Sequence, residues 1–263
     1  VGFESVWTGE HVVLVDPQVP PSPVPPTSHF VDTVATLAFV AAKTRRIQIG
    51  SGILLLAQRD PIVLAKELAG IDVLSKGRLL VGVGVGYVAG EFEALGIPYA
   101  ERGPRVTEHI EVLRTLWTQE KPAFAGRFTS FSGIQSRPLP VQKPHPPIHV
   151  GGMSPPALRR AVAQGNGWYG FFQDLAATER MLAALAATAK RVARPAALGR
   201  LEISVTPPGP ADADTARRFE DLGVDRLVLM RGFGDMAGRR SASTEDAVIR
   251  FLEDTARELG LGS

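Results

Sequence analysis

Apolar and polar positions along the chain follow two periods that take turns. Short β-branched, largely apolar runs at residues 5–8, 47–56, 78–85, 148–150, 167–171, 201–206 and 226–230 predict strands. Between them, apolar residues recur three and four apart, as in Val34, Leu37, Ala38 and Ala41. This spacing predicts helices from about 28–32 to 43 and over 61–74, 91–95, 106–117, 155–164, 175–192, 213–222 and 244–259. Two stretches break the alternation. Residues 16–26 are too rich in proline for a regular element, and 121–147, rich in Pro, Gly and aromatic residues, predicts an excursion from the main scaffold. The whole of 1–263 reads as one α/β domain carrying that excursion.

A strand followed by a helix, many times over, implies parallel strands, because each helix returns the chain to the same end of the sheet. An open doubly wound sheet and a closed barrel both fit. A barrel would lack its first βα unit, since Val1-Gly2-Phe3 leads directly into the first strand. That arrangement predicts an apolar gap beside Val6 and Leu229.

Composition narrows the chemistry. With 44% hydrophobic and 21% charged residues the chain can bury a sizeable core. Twenty-nine basic residues against 27 acidic ones, without a basic run, leave no electrostatic footprint for nucleic acid. The absence of cysteine removes disulfides, thiolate nucleophiles and Cys-ligated metals, and points to a cytoplasmic protein. The apolar stretches are too short to span a membrane, and the start has no signal-peptide pattern. No His and carboxylate spacing predicts a metal site, and no Gly-x-Ser-x-Gly elbow predicts covalent hydrolysis.

Four strand ends carry candidate chemistry, and in parallel α/β folds sites are built at the C-terminal ends of strands. The first is Gly9-Glu10-His11, where an imidazole can carry a proton near neutral pH or simply tether the proline-rich loop. The second is Ile49-Gly50-Ser51-Gly52-Ile53, where glycine marks a bulge, a close approach or a bend. The third is Gly82-Val83-Gly84-Val85-Gly86-Tyr87, whose alternating glycines clear one face, either for a flat ring or for a tightly packed interior. The fourth is Gly151-Gly152-Met153-Ser154-Pro155, in which Ser154 caps a helix and exposed amides favour an anion. An ordinary capped helix explains the same residues. Of the other histidines, His109 is expected to be solvated or half-buried on a helix and His145 to be part of a loop. His149 lies in a strand that leaves its direction open.

Taken in order, Gly2 to His11, Ile49 to Leu56, Pro61 to Gly86, Glu91 to Gly96, Arg102 to Arg105 and Pro144 to Gly152 resemble the bacterial luciferase-like monooxygenase family, especially its deazaflavin (coenzyme F420) branch. The resemblance covers nearly the whole chain. It implies a (β/α)8 TIM barrel, here lacking the first βα unit, with a flavin or deazaflavin across the C-terminal strand ends. It places Gly52 and Ile53 at a bulge, often with a non-prolyl cis peptide, under the central ring. Val85, Gly86 and Tyr87 fall along the cofactor, Gly151, Gly152 and Met153 at its phosphate, and His11 beside the ring. Some deazaflavin dehydrogenases carry glutamate where this chain has Tyr87. His11, Glu10 and Tyr87 are therefore the catalytic candidates. The implied function is hydride transfer between coenzyme F420 and a small organic substrate. The alternatives are an FMN-dependent monooxygenase served by a reductase partner and a non-catalytic flavin-binding paralogue. A homodimer is expected in each case.

Overall fold

The computed structural model describes residues 2–22, 24–230 and 245–261. Seven parallel strands form one curled sheet, in the order β1 (Ser5–Thr8), β2 (Gln48–Ser51), β4 (Leu79–Gly84), β7 (Ile148–Gly151), β8 (Gly167–Phe171), β9 (Glu202–Thr206) and β10 (Arg226–Leu227). A short β3 (Leu54–Leu55) pairs with the end of β4. Outside the sheet lie α1 (Thr33–Lys43), α2 (Pro61–Ser75), α3 (Ala89–Ala94), α4 (Arg102–Thr118), α5 (Pro155–Gln164), α6 (Leu175–Ala189), α7 (Ala213–Asp221) and α8 (Glu245–Glu258). This is the α/β-barrel architecture, with β1 and β10 as sheet edges among the described residues. The edges approach each other, because Arg226 on β10 donates to Glu4 at 2.6 Å and to Gln48 at 3.4 Å. Val6 is 37% exposed at one edge and Leu229 is partly exposed near the other. The Thr244 end of the closing helix lies outside the described residues.

The helices begin at the C-terminal end of the strands, and five of their starts carry an acidic or hydroxyl cap. Asp32, Asp60, Ser154, Asp174 and Asp212 accept amides of the first turns of α1, α2, α5, α6 and α7. Each such cap stabilises its helix by about 1 kcal/mol. The fully buried Leu68, Leu79, Ile110, Trp117 and Trp168 fill the layer between sheet and helices. Trp117 keeps its polar edge satisfied by donating to the Ala65 carbonyl at 2.9 Å.

The predicted strand 47–56 is instead three pieces. β2 stops at Ser51, the Gly52–Ile53 peptide is cis, and β3 runs straight into a 3-10 turn, Leu56–Gln58. Ile53 then occupies the space that the glycines of the neighbouring strands leave open. A Cβ at Gly84 would sit 2.7 Å from Ile53, and one at Gly151 2.8 Å from it. Gly50 makes way similarly for the Trp7 indole, at 2.6 Å. The alternating glycines therefore serve interior packing.

The proline-rich stretch forms no helix or strand among the described residues, and Val15, just before it, packs on Gly90 of α3. The excursion after α4 holds an antiparallel ribbon, β5 (Phe124–Ala125) with β6 (Ser130–Phe131). Glu108 on α4 grips its turn, accepting the backbone amides of Arg127, Phe128 and Thr129 at 2.7, 2.9 and 2.7 Å. Buried Asp72 on α2 holds the far end, accepting the Gln142 amide at 3.0 Å and its side chain at 2.7 Å.

Candidate active site

The strand ends converge on a mouth rimmed by apolar side chains. Tyr87 after β4, Met153 after β7 and Phe171 at the end of β8 are 46%, 48% and 38% exposed. Large apolar groups exposed together at one end of a sheet suit a flat ligand. The loops under this rim are stitched together, since Gln173 donates to Met153 Sδ at 2.8 Å and to the Phe171 carbonyl at 2.9 Å.

His11 lies at the edge of the mouth, between the rings of Phe30 at 4.9 Å and Tyr87 at 6.0 Å, both edge-on. Its Nδ1 meets Oε1 of Glu91 in a short contact. The Glu91 side chain is almost fully buried, and its other oxygen accepts from Gln58 at 3.1 Å. A carboxylate on one ring nitrogen fixes the orientation of an imidazole and leaves Nε2 to act.

Glu10 is not part of this pair. Its Oε2 accepts the Leu55 amide at 2.5 Å and its Oε1 accepts from Arg59, at 3.0 Å from Nε. Arg59 continues to Asp32 at 2.6 Å, and Thr33 donates to the Gly9 carbonyl at 3.1 Å. Glu10 thus ties the end of β1 to β3 and to the start of α1. Tyr87 keeps its ring near His11, while its carbonyl accepts from Tyr99 at 3.1 Å. Burial pushes its phenol up, with Glu91 adding to it, so it remains a hydrogen-bond donor at neutral pH.

Gly52 and Ile53 form the bulge below the mouth. Val85 is half-buried against the core, and Gly86, at φ 75°, passes close to Phe92. Gly151 ends β7 against Ile53. Gly152 takes φ 113°, which favours glycine, and Met153 and Ser154 follow it on the surface. The first turn of α5 offers few free donors. Pro155 and Pro156 have no N–H, and the Ala157 and Leu158 amides bond Ser154 Oγ (3.4 Å) and Ser154 O (3.0 Å). An anion here would meet the loop at 152–154 and the positive end of the α5 dipole.

His109, His145 and His149 lie away from this edge of the mouth. His109 is buried rather than solvated, with Nδ1 against the Leu56 carbonyl at 3.0 Å, and burial pulls its pKa down. His145 is also buried and shifted down by burial. His149 faces the barrel interior, edge-on to Trp7 at 5.8 Å, and Trp7 stacks on Tyr169 at 5.7 Å. Among the described residues both His149 nitrogens lack a partner, and burial followed by the Arg226 charge pulls its pKa down to about 4.

Sequence reasoning missed Glu91 as a site residue, together with Gln58, Arg59 and Asp32. A signal for Glu91 does exist. In a helix as short as α3, residues 91 and 93 point to different sides, so one carboxylate must face inward beside Phe92.

Comparison with known proteins identifies the family and the fold. The family described as luciferase-like monooxygenase matches residues 1–217. An uncharacterized protein of Mycobacterium tuberculosis is 31% identical over 232 residues, spanning 87% of this chain and 76% of that protein. An FMNH2-dependent dimethylsulfone monooxygenase of Pseudomonas putida is 40% identical over 113 residues, 42% of this chain and 31% of that enzyme. The structure of an F420-dependent secondary alcohol dehydrogenase bound to an F420-acetone adduct superposes with TM-score 0.67 at 18% identity, covering 98% of this chain and 76% of the other. Among the described residues no helix is long and apolar enough to cross a membrane. With a curled sheet of parallel strands and a family match over residues 1–217, the chain belongs to the luciferase-like monooxygenase family, whose members are oxidoreductases or monooxygenases.

Proposed function

We propose that this protein is a hydride-transfer oxidoreductase that binds the deazaflavin coenzyme F420 across its mouth and acts on a small organic substrate. The observation that carries the reading is the His11–Glu91 pair at the edge of an aromatic rim. When bound, the deazaflavin supplies two-electron hydride chemistry. The chain's own residues do the rest. Phe30, Tyr87, Met153 and Phe171 exclude water around a flat ring, and the Gly52–Ile53 bulge floors it. Residues 152–154 receive the phosphate. Glu91 orients His11, whose Nε2 gives or takes the proton that accompanies the hydride at the substrate. Tyr87 contributes a hydrogen bond, and Glu10 acts from behind by holding the end of β1 in place.

A second reading, an FMN-dependent monooxygenase working with a reductase, draws on the similarity to the dimethylsulfone monooxygenase. Titration of the purified protein with F420 and with FMN, read by absorbance, separates the two. Saturable binding of F420 followed by turnover on a panel of alcohols and carbonyl compounds is the expected result. Binding of FMN alone, with oxygen consumption once a reductase is added, replaces it with the second reading. Flavin binding without turnover under either regime leaves a non-catalytic paralogue.

A further inference from the structure

α4 and α5 lie side by side outside the sheet, and a groove of about 950 Å3 runs between them. Its upper end is formed by Val85 and Ser154, where the chain leaves β4 and β7 for the mouth. Four arginines line it, Arg102, Arg127, Arg159 and Arg160, against the carboxylates Glu108 and Glu111. The chain as a whole is nearly balanced in charge, so this excess is local.

The two carboxylates are largely committed elsewhere. Glu108 grips the three amides of the ribbon turn, and Glu111 takes Arg114 at 3.1 Å and Gln164 at 2.7 Å. Arg160 is buried and spans the helices, donating to Thr107 and to the Gly103 carbonyl at 3.1 Å each. Burial, with Arg159 beside it, pulls Arg160 down to about 10. Arg102 stacks on Tyr99 at 3.7 Å, and among the described residues its buried Nε has no acceptor. Arg159 is exposed, and Arg127 is two-thirds exposed while paired with Glu101. Guanidinium groups gathered along one groove repel one another, and an anion lying among them relieves that repulsion while meeting their planar forks in pairs.

We infer that this groove holds a polyanionic extension of the cofactor, a carboxylate-bearing chain continuing from the phosphate and leaving the mouth between Val85 and Ser154. The inference rests on the deazaflavin reading above and deepens it. In coenzyme F420 the phosphate is a diester that continues into a chain of glutamates, whereas FMN ends at its phosphate and extends no farther than residues 152–154. The groove thus favours one of the two cofactors on chemistry outside the ring.

The test is an equilibrium titration of the full chain, followed by deazaflavin fluorescence, with F420 carrying several glutamates and with the same deazaflavin ending at the phosphate. At low ionic strength the tail-bearing compound is expected to bind at least ~10-fold more tightly, about 1.4 kcal/mol. Added salt should shrink the gap, as it does for partly exposed charges. Arg159→Glu, alone and with Arg127→Glu, should remove the gap while leaving the truncated compound within about twofold. Both side chains are exposed, so the fold is retained, and a melting curve of each variant checks this. Arg217→Glu on α7, an exposed arginine far along the chain, should leave the gap intact. Equal affinities of the native protein for the two compounds, or a gap that survives Arg159→Glu and the double variant, overturn the groove assignment and leave the deazaflavin reading standing. Failure of both compounds to bind overturns the two together.

Discussion

The mouth and the interior of the same sheet treat buried polarity in opposite ways. At the mouth, Glu10 has Leu55 and Arg59, His11 has Glu91, and Glu91 has Gln58. A few residues down the barrel, His149 is fully buried beside Trp7, with both nitrogens unpartnered among the described residues. The first arrangement fixes the orientation of an imidazole, as the proposed proton transfer requires. The second keeps one neutral and employs it as a flat edge for packing. What separates these two histidines is a carboxylate partner, which His11 has and His149 lacks.

The sharpest break of this contrast is His11→Ala. It should lower turnover by about 10²-fold or more, the scale of a lost general acid or base, and leave cofactor affinity within a few-fold. Steady-state rates and a cofactor titration on one preparation measure both. Full activity would reduce His11 to a loop residue.

Acid should act on the interior. His149 has a folded pKa of about 4 against an ordinary 6.5, so below pH 6.5 the unfolded chain takes up the proton first and stability falls as pH falls towards 4. Between pH 7 and pH 5 its share is about 2 kcal/mol. Burial shifts His109 and His145 in the same direction. Urea unfolding at the two pH values should show the loss, and His149→Leu should reduce it. An unchanged pH dependence in that variant would erase the contrast.

Ser154→Asp sharpens the mouth side. Aspartate caps α5 as well as serine does, so melting should be unaffected, while its charge repels a phosphate. Cofactor affinity should fall at least ~10-fold. Gly152→Asp is a poorer probe, because at φ 113° any side chain strains the backbone. The smallest effect is expected from Glu91→Gln, which exchanges a charged hydrogen bond to His11 for a neutral one. A loss of about 1 kcal/mol corresponds to about fivefold in turnover, with cofactor affinity unchanged.

The sequence made the regular units legible wherever a local signal agreed with packing. α5 and β8 run over the predicted residues because Ser154, Pro155 and the flanking glycines punctuate them. Between Ser28 and Asp32 the cap was open, and Asp32 takes it because the same carboxylate also meets Arg59. The break after Ser51 is silent in the apolar pattern, which continues through it, whereas the family resemblance places a bulge with a cis peptide at Gly52–Ile53, where the structure has it. α4 starts at Arg102 rather than 106, held by Arg160 from the neighbouring helix, a contact that no local pattern announces. At the site, residues next to strand ends were found, and those arriving from other elements were not. Glu91 reaches His11 across 80 residues of chain, and Arg59 reaches Glu10 across 49.

Glu108 carries a last consequence. It anchors the ribbon by three main-chain amides and so makes no demand on the side chains that bear them. The attachment is indifferent to sequence, proline excepted, because only proline removes a donor. Thr129→Ser should leave the ribbon seated, and Thr129→Pro should loosen it, as amide exchange over residues 124–131 would report. A part fastened in this way can change its face from one relative to the next while its mooring stays fixed.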